Sequence, residues 1–252
     1  MTAPALSELE QRLLRPAEPG TFGDAELDGL PGPVRRHLAQ AIAPGTPLAV
    51  SARLRMRGSI RVGRWLPFRA RQVLSPHHGF MWAARAAGVI AGADRYVDGA
   101  GGMDWKMAGL VTVAHAGGPD YARSAAGRAA AEGMWVPTAL LPRFGVHWSA
   151  DADEVRAALR IGEVPVELRY RLDGGGRISS FALDRWGDPD GGGTFGWHPF
   201  GGEITGYRSF GGVTIPQRRP GGLVLRQRPL AGRRVLPLPH HRPGADHLMA
   251  PS

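Results

Sequence analysis

Two periodicities divide the chain. Residues 5–14 (ALSELEQRLL) are an amphipathic helix candidate. After the break at Leu30-Pro31-Gly32-Pro33, Val34, Leu38 and Ile42 recur at helical spacing, with Pro33 suited to a first turn and Gly45 ending the run. From Leu48 the period becomes two. LAVSARLRMRGSIRV alternates apolar with polar or basic residues, as a strand with one buried face requires. RWLPFRARQVLS and GFMWAARAAGVIA continue it, and ADRYVDGAGGMDWKMAGLVTVAHA reads as strands around an Asp98-Gly99 turn. The Ala-rich stretch Tyr121 to Glu132 breaks the alternation and predicts one helix, closed by Gly133. Strands resume at VHWSA, EVRAALRI, VELRYRLD and RISSFALDRWG, and GGEITGYRSFGGVTIP gives a last pair.

This order predicts a mainly β (α+β) fold. A large curved antiparallel sheet or half-barrel takes one helix-containing segment into its concave face, with short helices before it. Three stretches are expected: an N-terminal helical segment 1–46, one sheet domain 47–216 with an inserted helix 121–133, and an irregular basic tail 217–252.

Charge changes the picture only once it is located. The 252 residues carry a net +9, but residues 217–252 hold seven Arg and one Asp, while the rest carries 24 basic and 21 acidic groups. The excess sits in the tail, so nucleic-acid binding is not expected. A single Lys, Lys106, stands against 30 Arg, which reads as a GC-rich coding bias. In the tail neither periodicity survives. Back-translated and read in a shifted frame, residues 222–242 regain aromatic alternation and a strand-like ending, so the tail is read as a possible frameshift product. With no Cys, disulfides, thiolate nucleophiles and Cys-ligated zinc are excluded. No apolar run is long enough for a membrane span, no secretory signal stands at the start, and a cytoplasmic location is expected.

Candidate chemistry concentrates between Glu132 and Trp148. Arg128 and Glu132, four apart, share one helix face. Trp135-Val136-Pro137-Thr138-Ala139-Leu140-Leu141-Pro142 is expected to be an extended lid edge, held by its two prolines. Asp94, Asp98, Asp104 and Lys106 surround a Gly-rich turn that explains Asp98 by itself. His77, His78 and His198 lack metal-ligand spacing, and no metal or cofactor is expected. The chain contains no nucleophile-elbow or phosphate-loop fingerprint in a strand–helix setting.

In order, Pro33 to Arg36, Gly58 to Arg61, Trp65-Leu66-Pro67-Phe68, Gly79 to Trp82, Asp94 to Gly99, Trp135 to Pro142, Trp148 and Gly212 to Pro216 resemble the pattern of an uncharacterised bacterial family. It is a domain of unknown function numbered sixty-five forty-four. Trp135–Pro142 is the one stretch specific by itself. The resemblance implies no reaction. Its strand–helix–strand order is similar to the half-barrels of LolA-like lipoprotein carriers, by topology alone.

These readings lead to a non-enzymatic binding module for an apolar or lipid-like ligand in a half-barrel cavity. Trp135, Thr138, Leu140, Leu141 and Trp148 would line it, with Arg128, Glu132 and Asp98 supplying polar groups. Leu140→Asp is expected to empty it without unfolding the protein. The alternative is an enzyme with Glu132 or Asp98 as general acid or base. The oligomeric state is left open.

Overall fold

A computed structural model describes residues 6–62, 64–151, 154–217 and 247–249. The rest of the expected tail, and with it the frameshift reading, lies outside the described residues.

The strands form a meander that α3 divides into two sheets. The N-terminal part contains α1 (Leu6–Leu13), β1 (Glu18–Thr21), α2 (Gly32–Ala41) and β2 (Pro47–Leu48), with β1 and β2 paired. Next come β3 (Ala52–Val62), β4 (Arg64–Ser75), β5 (Gly79–Ala86), β6 (Ile90–Val97), β7 (Ala100–Met107) and β8 (Val111–Gly117). Helix α3 (Pro119–Glu132) follows, then 3₁₀ turns at Gly133–Trp135, Pro137–Leu140 and Pro142–Phe144. The chain continues through β9 (His147–Asp151), β10 (Glu154–Ile161), β11 (Val164–Leu172), β12 (Ile178–Gly187) and β13 (Gly196–Glu203). It then forms a pair, β14 (Tyr207–Phe210) and β15 (Val213–Pro216), and a last short strand, β16 (His247–Met249).

Sequential antiparallel pairing gives β3-β4-β5-β6-β7-β8, which β16 joins beside β3 to make a seven-stranded sheet, and a five-stranded sheet, β13-β12-β11-β10-β9. The mainly β fold with a helix packed against the sheet agrees with the periodicity. The strands belong to two large open sheets and two separate two-stranded pairs, β1-β2 and β14-β15, where the alternation alone suggested one sheet. The helix begins at Pro119, two residues before its predicted start.

Helix α3 packs against strands of both sheets. Its buried residues are Ala125, Ala126, Gly127, Ala129, Ala130 and Ala131, all small, so the backbones come close. A Cβ at Gly101 on β7 would stand 2.5 Å from the Ala122 Cα, so only glycine fits under the helix there. The main core joins both sheets, α2 and α3. A smaller cluster lies on the other face of the seven-stranded sheet, where Leu9 and Leu13 of α1 cover Val73, Met81, Ala93 and Val97. Strand parity separates these faces: the row Gln72–Trp82–Asp94–Met103 points toward α3, and Arg71–Ala83–Ala93–Asp104 points away.

Candidate functional site: an arginine between two carboxylates

The helical repeat places Arg128 and Glu132 one turn apart, as their spacing predicts, and both face the seven-stranded sheet. Arg128 Nε donates to Glu132 Oε1 at 2.7 Å, and Arg128 Nη1 donates to Asp94 Oδ2 of β6 at 2.9 Å. The remaining carboxylate oxygens also have donors. Gln72 Nε2 reaches Glu132 Oε2 at 2.5 Å, and Trp105 Nε1 reaches Asp94 Oδ1 at 2.8 Å. The guanidinium lies over Phe80, 4.4 Å from the ring centroid, and 5.3 Å from that of Trp82. Trp105 reaches across because its cross-strand neighbour is Gly92, where a Cβ would come within 2.5 Å of the indole.

The cluster is sheltered but not sealed. The side chains of Arg128, Asp94 and Glu132 are 23%, 17% and 14% exposed. Burial alone would lower the Arg128 pKa, but the charges of Glu132 and Asp94 more than offset it and hold the guanidinium protonated. Arg185, brought in by β12, donates from Nε to the Ser124 carbonyl at 3.0 Å. Its pKa is lowered to about 10, first by burial and then by the charge of Arg128. The Tyr121 phenol, on the same helix, is pushed up to about 12, chiefly by burial. Gln72 Oε1 is buried and has no partner.

The other sequence-predicted residues lie elsewhere. Thr138, Leu140 and Leu141 are buried, and Leu140 is only 1% exposed. The two prolines do not hold this segment extended. Pro137 and Pro142 each stand at the start of a 3₁₀ turn, where the missing N–H costs nothing. Thr138 Oγ1 donates to the Ala49 carbonyl at 2.5 Å, His77 Nε2 donates to that of Ala139 at 2.7 Å, and Trp148 Nε1 donates to that of Leu140 at 2.8 Å. These bonds and burials pin the segment into the core. Trp135 is half-buried against it. Beside Met134, Pro137 and Leu140 a cavity of about 10 Å³ remains, room for one water at most. An acidic residue at position 140 would therefore break the core, contrary to the expectation that it would spare the fold. Asp98 stands on the turn between β6 and β7 and pairs with Arg12 of α1, so its turn role suffices.

Periodicity passed over Gln72 and Arg185, and counted Asp94 only with the turn cluster. Parity carries a signal for two of them. Gln72 and Asp94 are the polar exceptions in inward-facing runs, Phe68-x-Ala70-x-Gln72-x-Leu74 and Gly92-x-Asp94-x-Tyr96. His37 was also missed. It is buried beside Trp148 and Tyr170, and its Nδ1–H donates to the Gly176 carbonyl at 3.0 Å. Burial lowers its pKa. Among the described residues no group of three or more His, Asp or Glu is placed to hold a metal ion. Nor is any helix among them long and apolar enough to cross a membrane.

A model of a family of unknown function (DUF6544) matches residues 20–225. The chain belongs to this family. The match spans β3 to β15 and α3, and so contains the whole Arg128 cluster and the Trp135–Pro142 segment. No curated protein and no solved structure matches the chain. Membership in the family therefore brings no activity with it, and function must be argued from the site.

Proposed function

We propose that the protein is a non-enzymatic binding module for an amphipathic, lipid-like ligand taken up between α3 and the seven-stranded sheet. The observation that supports this reading is the Arg128 cluster, a partly exposed polar end on an aromatic-lined apolar interior. A ligand head group would meet Arg128 and the free Gln72 acceptor, and its apolar part would lie along Trp82 and Trp105. The interior is filled as described, so uptake requires α3 to shift. Its buried face consists of small residues, each burying little area, which makes a shift cheaper than for a Leu-rich helix.

The same hydrogen bonds weigh against acid–base chemistry at Glu132. Both its oxygens accept from fixed donors, which leaves no free oxygen aimed at a substrate proton. Native mass spectrometry of the full chain, purified without detergent, tests the binding reading. The expected result is a retained lipid-sized mass that dissociates on collisional activation. A bare protein mass at the gentlest settings would remove the reading.

A further inference from the structure

The near-balance of charge outside the tail hides a segregation. Residues 52–117, which build β3 to β8, hold ten Arg and Lys against three Asp; the rest of residues 1–216 holds 14 basic against 18 acidic groups. Parity then puts most of that charge on the face away from α3. The register sets Arg55 opposite Arg71, and Arg57, Arg69 and Arg85 in one continuous row across three strands. All five are exposed, as is Lys106 two strands further along the row. Like charges directly opposite on adjacent strands destabilise a sheet. Arg71 is offset by Glu10, and the row Arg69–Arg85–Ala91–Lys106–Thr112 contains no acidic residue.

A second, independent observation lies at the end of the sheet nearest that row. The β3–β4, β5–β6 and β7–β8 connections all fall there. Eight large apolar side chains are exposed among the described residues, and six belong to this end: Trp65, Val89, Met107, Leu110, Val111 and Val113. Leu110 is 85% exposed. Two of the turns also carry an unusual residue. Ala87-Gly88 and Ala108-Gly109 take left-handed φ, with Ala87 at 48° and Ala108 at 51°. Such turns favour Asn or Asp before Gly, and alanine there is strained. The opposite end of the sheet has the usual polar choice, Asp98-Gly99.

We propose that this end of the seven-stranded sheet docks on an anionic lipid bilayer, with the β5–β6 and β7–β8 tips entering the interface and the arginine row meeting the head groups. Apolar tips beside a basic band match a surface that is apolar below and anionic above. The long arginine side chains keep their charge at head-group level while their stems lie along the apolar zone, and Trp65 suits the same depth. A nucleic acid offers phosphates but no apolar phase for Leu110. A second copy of this face would bring arginine rows together. The inference concerns the outer face and stands apart from the interior-ligand reading.

The test is co-sedimentation of the full chain with phosphatidylcholine vesicles, with and without phosphatidylglycerol. Two variants accompany it, Val89→Ser/Leu110→Ser and Arg69→Gln/Arg85→Gln, all at exposed positions. Binding is expected only with the anionic lipid, and each variant should weaken it roughly tenfold or more. Because both variants keep the tail, binding unchanged by either pair would place the attraction on the tail arginines and overturn the proposal. So would equal binding to neutral vesicles, no vesicle binding by the unaltered chain, or affinity that falls with the arginine pair but ignores the tip pair, as duplex DNA or an acidic protein would require.

Discussion

The two faces of the seven-stranded sheet treat arginine in opposite ways. Inside, Arg128 meets two carboxylates and two aromatic rings, and every carboxylate oxygen has its own donor. Outside, arginines stand opposite arginines along a row without an acidic residue. The first arrangement pairs its charges within the fold. The second sets Arg69 and Arg85 side by side on the exposed face, where solvent and salt screen their charge or a partner neutralises it. Stability should therefore depend on the inner charges and be indifferent or even opposed to the outer ones.

The sharpest break of the inner arrangement is at its apolar neighbour. Leu140→Asp puts a carboxylate into a filled core beside Gly133 and Met134. A loss of about 4 kcal/mol or more is expected in chemical denaturation, close to the whole stability of many domains. Arg128→Met comes next. Methionine keeps much of the stem's volume but leaves Asp94 and Glu132 side by side without their cation. A loss of about 3 kcal/mol is expected, and Asp94→Asn in the same chain should recover part of it by removing one uncompensated charge. An Arg128→Met variant as stable as the parent would mean the cluster is solvated and holds nothing together.

How far this was legible follows from which contacts are local. The β alternation after Leu48, the Asp98-Gly99 turn, the Ala-rich helix and the Arg128–Glu132 spacing are set within a few residues, and each appears in the structure. The division into two sheets depends on where α3 interrupts the pairing, which no strand's own pattern encodes. Asp94 reaches Arg128 across 34 positions of sequence, so its role could be seen only as a polar exception to parity. The prolines of the Trp135–Pro142 segment misled because proline suits extended chain and the first position of a helical turn equally. The outer arginines were visible all along at alternate positions, Arg53, Arg55, Arg57, then Arg69, Arg71. A net charge summed over the chain discards that parity.

A smaller effect tests the interior through pH. His37 is buried, and its pKa lies below the ordinary 6.5 because burial disfavours the cation. The unfolded chain therefore binds a proton that the native state resists. This contribution is fully present above about pH 6.5 and is lost as the pH falls from there toward the folded pKa. Melting temperatures should decline through this window in low salt. His37→Asn, which retains a donor for the Gly176 carbonyl, should flatten the decline while lowering stability at neutral pH. An unchanged slope in that variant would move the acid sensitivity to other groups, such as His78, whose pKa is also lowered, chiefly by burial.

The smallest expected effect discriminates best between the two faces. Arg69 stands between Arg57 and Arg85 on the exposed face. Arg69→Thr removes the middle charge and supplies a β-branched residue that suits a strand. Relief of like-charge repulsion should raise stability by about 0.5 kcal/mol at low ionic strength. Salt should erase the gain, because exposed charges at this spacing are screened once the Debye length falls to a few ångströms. Urea titrations of both proteins at low and high salt measure this. The inner cluster predicts the reverse for Arg128→Met, a loss that persists in salt because its partners are sheltered. If Arg69→Thr instead destabilised the protein by the same amount in both salts, the side chain would be contributing packing through its stem, and the outer row would be part of the fold's own architecture.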